Sequence, residues 1–396
     1  MINNLIEKKI KHLRESTPLK NFDNNKPAEV EVNKFFYDGK MINRLMVVLR
    51  ANGCEHYKKT GGCSMCSHYN GTPKHKVTDK NYIAQWNSVV DGSAIEKKNL
   101  NFNINDYPVV CLYNLGSLLN ENEISMNAVR EMFKSLNNFK GVKKVIIESR
   151  AEYVTEKAIK NIKDVYSGIV EVGIGVESTN KTIRELCHHK GIKDLKIIKN
   201  AVKLLHKYEF RALAYVNLKP VFLTEKEAVE DSVKTSIDSF KMGFDAVSIE
   251  PTSLQDFSLA NYLYEIGEYR VPWLWSIERI IEGIYKVLGN KLDIRIGGYF
   301  DEEVLSGSQG VGFEGKNELF PHLTSSNCPY CTKEVINGIK EFNSTYDINS
   351  LKKIKKCHHF YKIWQDTMNI VDSRSIQRRI KDILNKKENL WKKDLN

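Results

Sequence analysis

Long apolar runs are missing from this sequence. Hydrophobic residues make up 41% of its 396 positions and charged residues 28%, and mean hydropathy is −0.42. That composition excludes an integral membrane protein and, equally, a wholly disordered chain. A charged-then-apolar leader ending in small residues is also absent: Met1–Arg14 alternates Ile, Leu and Lys as an amphipathic helix does, so no membrane partner and a cytoplasmic location are expected. Cysteine is sparse, eight in this length, but unevenly placed: Cys54, Cys63 and Cys66 form one group, Cys328, Cys331 and Cys357 another, and Cys111 and Cys187 stand alone. In a reducing compartment such grouping argues for metal or cluster ligation over a disulfide framework.

Acidic residues are outnumbered, with 49 Asp or Glu against 60 Lys or Arg and a formal charge of +11. Much of the excess sits at the end, where positions 351–396 carry thirteen Lys or Arg and five Asp or Glu. Lys352, Lys353, Lys355, Lys356, Arg374, Arg378, Arg379, Lys386 and Lys387 are interleaved there with Phe360, Tyr361, Trp364 and Trp391. A solvated helical face explains many such tails. The mixture also suits a polyanion, because basic groups neutralise phosphates and aromatics stack on exposed bases.

What is present in quantity is alternation. Apolar runs expected as strands, Asn43–Leu49, Pro108–Tyr113, Lys144–Glu148, Val170–Val176, Ala212–Val216, Ala246–Glu250 and Asp293–Ile296, are separated by helical patterns at Ala128–Asn137, Thr155–Ile162, Asn180–Cys187, Ile192–Tyr208 and Glu225–Met242. This βαβα order, with strands as uniformly apolar as Val145-Ile146-Ile147, predicts an α/β fold with a parallel sheet covered by helices. Six or seven such units favour a partial (β/α)6-type barrel. The expected division is an N-terminal helical extension over 1–42, the barrel over 43–300, and a basic C-terminal domain over 301–396, opening with the glycine- and serine-rich Gly307–Gly315. Barrel chemistry gathers where strands end. The three-cysteine loop follows the first strand, Asn114-Leu115-Gly116-Ser117 the second, Glu148-Ser149-Arg150 the third and Glu177-Ser178 the fourth.

The loop Cys54-x8-Cys63-x2-Cys66 is punctuated by Gly53, Gly61 and Gly62, which allow the turns that aim several thiolates inward. Three cysteines leave one iron of a four-iron cluster open for a non-protein ligand. A structural zinc site would want a fourth ligand, which His56 or His68 would supply.

The loop resembles the cluster loop of radical S-adenosylmethionine enzymes, in the wide-spacing variant similar to the Elongator catalytic subunit. The strings Gly62-Cys63-Ser64-Met65-Cys66, Glu148-Ser149-Arg150-Ala151-Glu152, Gly173-Ile174-Gly175-Val176-Glu177-Ser178, Glu250-Pro251-Thr252-Ser253-Leu254-Gln255 and Asn327-Cys328-Pro329-Tyr330-Cys331 together resemble the radical subunit of archaeosine synthase. The resemblance implies a [4Fe-4S] cluster on Cys54, Cys63 and Cys66, S-adenosylmethionine on its open iron, an electron donor, and a 5′-deoxyadenosyl radical that abstracts hydrogen from a held substrate. It implies that Asn114, Gly116 and Ser117 meet the methionyl amino end, although they depart from the family's Gly-Gly-Glu wording. Glu148 and Glu177 would take ribose hydroxyls, Arg150 would pair with the methionyl carboxylate, and Met65 would pack the adenine. The ordinary reading of those charges is strand-end salt bridges.

For the archaeosine branch the resemblance further implies tRNA as substrate, a lysine-transferring partner, and carbon–nitrogen cleavage of a lysine-bearing deazaguanine. Tyr69, Gln255 and Tyr299 are candidate substrate residues from their places near the cluster loop or strand ends. The same chemistry on DNA, a small molecule or a peptide is the rival reading, and an RNA-binding protein with two structural metal sites is the rival of another class. Cys328-x2-Cys331-x25-Cys357-His358-His359 has the spacing of structural zinc, with His358 or His359 as fourth ligand; an auxiliary iron–sulfur cluster and free thiols are the alternatives. Cys111 and the Cys187-His188-His189 run are expected in packing roles, as are Trp273 and Trp275.

Overall fold

The computed structural model of the protein describes residues 2–17, 20–97, 100–300, 302–306, 325–328 and 330–391, and only the backbone of 302 and 386–391. Gly307–Gly315 and the side chains of Lys386, Lys387 and Trp391 therefore lie outside the described residues. Nine strands form one curled sheet: β1 Glu29–Tyr37, β2 Lys40–Val48, β3 Val109–Tyr113, β4 Lys144–Ser149, β5 Ile169–Gly175, β6 Arg211–Leu218, β7 Ala246–Pro251, β8 Ile294–Ile296 and β9 Glu302–Ser306. Their order is β8-β7-β6-β5-β4-β3-β2-β1-β9. β2 to β8 are parallel, in registers such as Arg44↔Val109 and Glu171↔Arg211, while β1 runs antiparallel to both β2 and β9. This is the expected partial (β/α)6 barrel, widened by three strands.

Valine and isoleucine drive the sheet. Val110, Leu112, Val145, Ile147, Val170, Val172, Ala212 and Ala214 are fully buried against covering helices, and burying each large side chain contributes roughly 1.5–3 kcal/mol. The covering helices include Asp79–Val90, Met126–Leu136, Glu156–Lys163, Leu195–Lys207, Glu225–Lys241 and Trp275–Leu288. Their starts are chemically marked: at Glu225–Lys241, Thr224 and Glu227 form a reciprocal capping box. Inside the curl, Phe35, Val109, Cys111 and Ile146 make a small core of their own, so Cys111 is packing. At the strands' N-terminal ends a wholly buried Glu171 accepts from Lys144 Nζ at 2.6 Å, Arg295 Nη1 at 2.7 Å and Arg211 Nε at 3.2 Å. That ionic plug shuts one end of the curl.

The sheet runs past both expected boundaries. β1 lies in the segment expected to be a helical extension, of which only Ile2–Glu15 is a long helix, and β9 lies beyond 300. β1 alternates acidic and apolar residues because one face borders the charged lumen, where Glu31 and Asn33 are buried. The expected helix Asn180–Cys187 is present, wound more widely over Ile183–Cys187. C-terminal helices dress the outside. Asn343, on the helix Thr332–Thr345, satisfies the open edge of β8 through Ile296 N, Ile296 O and Tyr299 O at 2.8, 2.9 and 2.8 Å, and Trp364 Nε1 donates to Ser276 Oγ at 3.1 Å. No helix among the described residues is long and apolar enough to cross a membrane.

Candidate active site

The C-terminal ends of the parallel strands form a mouth, and backbone strain marks it independently of the cysteines. Of nine non-glycine residues with positive φ among the described residues, six, Leu115, Glu177, His189, Lys219, Phe222 and Phe257, lie in loops there. Such conformations cost about 1–3 kcal/mol each and concentrate at functional sites.

Cys54 ends the connection from β2 and caps the short helix Glu55–Thr60, which closes on left-handed Gly61, φ +86°; Cys63 and Cys66 follow in the next turn. Three sets of props hold this loop. From the N-terminal helix, buried Arg14 donates to Ser67 Oγ at 2.8 Å, to Cys63 O at 3.4 Å and to Cys66 O. From behind, Ser64 N donates to His188 O at 3.0 Å and Ser64 Oγ to Cys187 O at 2.5 Å, while the His189 and His56 rings pair with Gly62 O at 2.9 Å and His189 O at 2.8 Å. From the side, fully buried Glu123 accepts from Glu55 N at 2.9 Å and Ser117 N at 2.5 Å, stitching the cysteine loop to the loop after β3. A Cβ on Gly116 would stand 2.1 Å from that carboxylate, so glycine is required there. Cys187, His188 and His189 are thus buried supports of the loop.

Burial pushes the Cys54 thiol up to about 12 and raises that of Cys63. Cys66 differs: burial acts the same way, but the charge and hydrogen bonds of His68 outweigh it and bring the thiol down to about 7. The pairing lifts His68 to about 9, so the thiolate form is favoured at this sulfur. Burial keeps His56 neutral, its ring lowered to about 3.

Three features fit a cluster with a bound cosubstrate. First, the three sulfurs are not drawn together as around one ion: among the described residues only Cys328, Cys331 and Cys357 form a trio of ligand atoms all within 4.8 Å. Second, Arg14 is buried without a carboxylate partner among the described residues, and the groups that act on its charge are Cys66, Tyr57 and Cys63. Third, the amide of Asn114, 1% exposed at the end of β3, has neither its nitrogen nor its oxygen partnered.

Several other expected contact groups are already engaged. Ser117 spends its N–H on Glu123, and its hydroxyl accepts from Arg150 N at 3.1 Å. Arg150 donates to Glu152 at 2.6 Å and to Lys190 O at 2.7 Å, and Glu177 accepts from Lys190 Nζ at 2.7 Å. Burial raises the Glu148 carboxyl, which Tyr215 hydrogen-bonds. Met65 is half-buried against the main core. Gln255 accepts from Ser67 N at 2.5 Å, and Tyr69 stacks on Tyr57 with ring centroids 3.7 Å apart; both belong to the rim of the cysteine loop. Tyr299 sits in the seam between β8 and β9, donating to Ser325 O at 3.5 Å, and joins neither cysteine group. Sequence reading missed Arg14, Glu123, Lys190 and Glu250. Burial lifts the Glu250 carboxyl to about 7, Ser248 Oγ donates to it at 2.6 Å, and Glu148 and Glu177 lie near enough to repel it.

The second cysteine group does assemble. Its sulfurs are separated by 2.9, 3.7 and 3.6 Å, and Cys331 and Cys357 each begin a helix. His358 and His359 are exposed, and neither ring joins the trio within 4.8 Å, because both begin the helix led by Cys357 and project outward.

Fold and site define a partial (β/α) barrel whose mouth carries a three-cysteine loop. No protein-family model matches the chain. An uncharacterized protein of Methanocaldococcus jannaschii is 32% identical over 349 residues, 88% of this chain and 89% of its own. Archaeosine synthase subunit beta is 29% identical in Thermococcus kodakarensis, over 80% of this chain and 90% of its own, and 27% identical in Methanosarcina acetivorans, over 93% and 97%. A solved queuine lyase from Clostridium spiroforme, bound to SAM and queuine, has a TM-score of 0.42 at 19% identity and covers 68% of this chain and 96% of its own; at that score the likeness carries no argument. The chain belongs to the family of the Methanocaldococcus protein and is similar to archaeosine synthase subunit beta.

Proposed function

We propose that this chain holds a [4Fe-4S] cluster on Cys54, Cys63 and Cys66, cleaves S-adenosylmethionine reductively, and modifies tRNA by breaking a carbon–nitrogen bond of a lysine-bearing deazaguanine to leave archaeosine. The observation that carries the reading is a trio of sulfurs not gathered within 4.8 Å as around one ion, beside a buried arginine that has no carboxylate partner among the described residues and whose charge faces Cys66. When bound, the cluster and S-adenosylmethionine supply one-electron cleavage and a hydrogen-abstracting 5′-deoxyadenosyl radical.

The chain's own residues hold, orient and exclude water. Arg14, Glu123 and the Cys187–Lys190 segment fix the cysteine loop from three sides. Asn114 offers one donor and one acceptor to the methionyl amino and carboxylate groups; Gly116 lets Glu123 through, and Ser117 anchors the loop. Arg150 and Glu177, held by Glu152 and Lys190, exchange part of those contacts for the methionyl carboxylate and a ribose hydroxyl, and Glu148 takes another hydroxyl. Met65 packs the adenine. Tyr69 and Gln255 form the rim that the nucleobase passes, while Tyr299 supports the seam. An external electron donor and a lysine-transferring partner complete the sequence of reactions.

Cys328, Cys331 and Cys357 are assigned a zinc ion. Two of their three sulfur separations match the edge of about 3.8 Å that a tetrahedron with zinc–sulfur bonds of about 2.3 Å requires. This ion would pin the helices Thr332–Thr345 and His358–Met368 together on the barrel.

The test is direct. Anaerobically reconstituted protein, given reductant, S-adenosylmethionine and tRNA bearing the lysyl precursor, should yield 5′-deoxyadenosine and archaeosine by nucleoside mass spectrometry. Cosubstrate cleavage with unaltered tRNA nucleosides would reject the substrate assignment while leaving the radical chemistry.

A further inference from the structure

The basic C-terminal helices are the obvious place for a polyanion, yet most of the charges described there are spoken for. Lys352 pairs with Glu282, Lys353 with Glu341, Lys356 with Glu278, Lys362 with Asp366, Arg374 and Arg378 with Asp382, and Arg379 with Glu227. Exposed pairs stabilise by only about 0–1 kcal/mol each, but each carboxylate cancels the field that its partner would offer a phosphate. Among the described side chains of 351–385, Lys355 and Lys381 alone carry no such partner.

The rim of the cysteine loop is the reverse. Lys58, Lys74, Lys76 and Lys80 are exposed, and none of them has a carboxylate partner among the described residues. Lys58 lies inside the loop itself, between Cys54 and Cys63. Lys74 and Lys76 stand on a segment fixed at every step: Lys74 N donates to Lys20 O at 2.9 Å, Asn24 Nδ2 to His75 O at 3.1 Å, and Asn52 bonds both Val77 N and Val77 O at 2.8 and 3.1 Å. An anchored backbone presents its lysines at reduced entropic cost. The nearby acids face elsewhere: Asp23 lies against Arg50, and Asp79 accepts from Asn127 at 3.5 Å. Tyr57, next to Lys58, stacks on Tyr69 in the same loop.

We propose that the phosphate backbone of tRNA docks on the rim formed by Lys58, Lys74, Lys76 and Lys80, not on the C-terminal helices. This rests on the tRNA reading above and adds where the nucleic acid lies. Each phosphate contact on duplex nucleic acid adds about 0.9 to the salt slope. Losing two contacts therefore weakens binding by up to about 60-fold at roughly 0.1 M salt, relative to molar salt where the ionic contribution vanishes.

The experiment measures anisotropy of labelled tRNA on the reconstituted full-length protein across a salt series, for wild type, K74E/K76E, K74Q/K76Q and K355E/K381E. Iron content and melting temperature establish that each variant is folded. Expected are a drop of about tenfold or more and a slope shallower by about 2 for K74E/K76E, a smaller change in the same direction for K74Q/K76Q, and wild-type behaviour for K355E/K381E. Wild-type affinity and slope in K74E/K76E, or a loss confined to K355E/K381E, overturns the docking surface. Failure of the wild type itself to bind tRNA instead overturns the tRNA reading, and the surface with it.

Discussion

Arg14 offers the sharpest perturbation of the cysteine loop, because it lies about fifty residues from the cysteines in sequence and takes no part in ligation. Arg14 is 6% exposed, and its guanidinium reaches Ser67 Oγ at 2.8 Å, Cys63 O at 3.4 Å and Cys66 O. Hydrogen bonds to a charged group contribute roughly 1.5–3 kcal/mol each. Counting the two short ones and neglecting the 3.4 Å contact gives about 3–6 kcal/mol holding the loop in shape. At about 1.4 kcal/mol per decade, that is a factor of roughly a hundred to on the order of ten thousand in loop ordering. Arg14→Leu keeps the aliphatic packing and removes both the donors and the charge. Iron and acid-labile sulfide per chain after anaerobic reconstitution should fall well below wild type, and melting of the unloaded chain should shift down by several degrees. Arg14→Lys, which keeps the charge but not the planar fork, should fall between the two. Wild-type iron content together with wild-type melting in Arg14→Leu would refute the reasoning, since the loop would then hold its cysteines without the clamp.

Further outcomes follow from other parts of the molecule. Asn114→Ala should weaken S-adenosylmethionine binding by equilibrium dialysis while leaving iron content intact, because the free amide is given a cosubstrate role and no ligand role. Cys328→Ser with Cys357→Ser should remove about one zinc per chain by plasma mass spectrometry and lower the melting temperature, leaving cluster iron unchanged; loss of both metals would contradict two independent sites. Asp231 is raised by burial to about 6, with one oxygen bonded to Ser178 and the other unpartnered. The folded chain therefore prefers its acid form, and stability should decline as pH rises from about 4 to about 6 and stay low above. Asp231→Asn should flatten that window and raise stability at pH 8 by on the order of 2–3 kcal/mol at most. Glu171 runs the other way. Burial opposes its charge, but Arg295 and Lys144 hold its carboxyl well below the usual range, so its contribution is present above about pH 4.5 and lost below. Glu171→Gln should cost about 3–5 kcal/mol in denaturant unfolding at pH 7 by stranding those cations.

The parallel strands were legible because Val-Ile-Ile and its like admit no wet face, and the glycine-punctuated cysteine loop announced its chemistry by spacing. β1 was not, since Glu29-Val30-Glu31-Val32-Asn33 puts buried acids where a core strand is expected to be apolar; the lumen they face is itself charged. The clamp around the cysteines was invisible for a different reason. Arg14, Glu123 and His189 act on partners 49 to 133 residues apart in several cases, and no local pattern carries such a contact. Cys187-His188-His189 did signal something, three ligand-type residues in a row, but the physics that selects them is burial against Gly62 and Ser64. Composition likewise counted the charges of the tail without their partners, so Arg379 read as a phosphate ligand although it grips Glu227 at 2.6 and 2.7 Å.

The measurement closest to the central claim is electron paramagnetic resonance of the anaerobically reconstituted, reduced protein before and after addition of S-adenosylmethionine. A cubane held by Cys54, Cys63 and Cys66 alone should give a reduced-cluster signal that changes on addition and disappears in the triple Cys→Ala variant. A signal indifferent to S-adenosylmethionine, or a loop that retains only a mononuclear ion under the same conditions, would contradict the account.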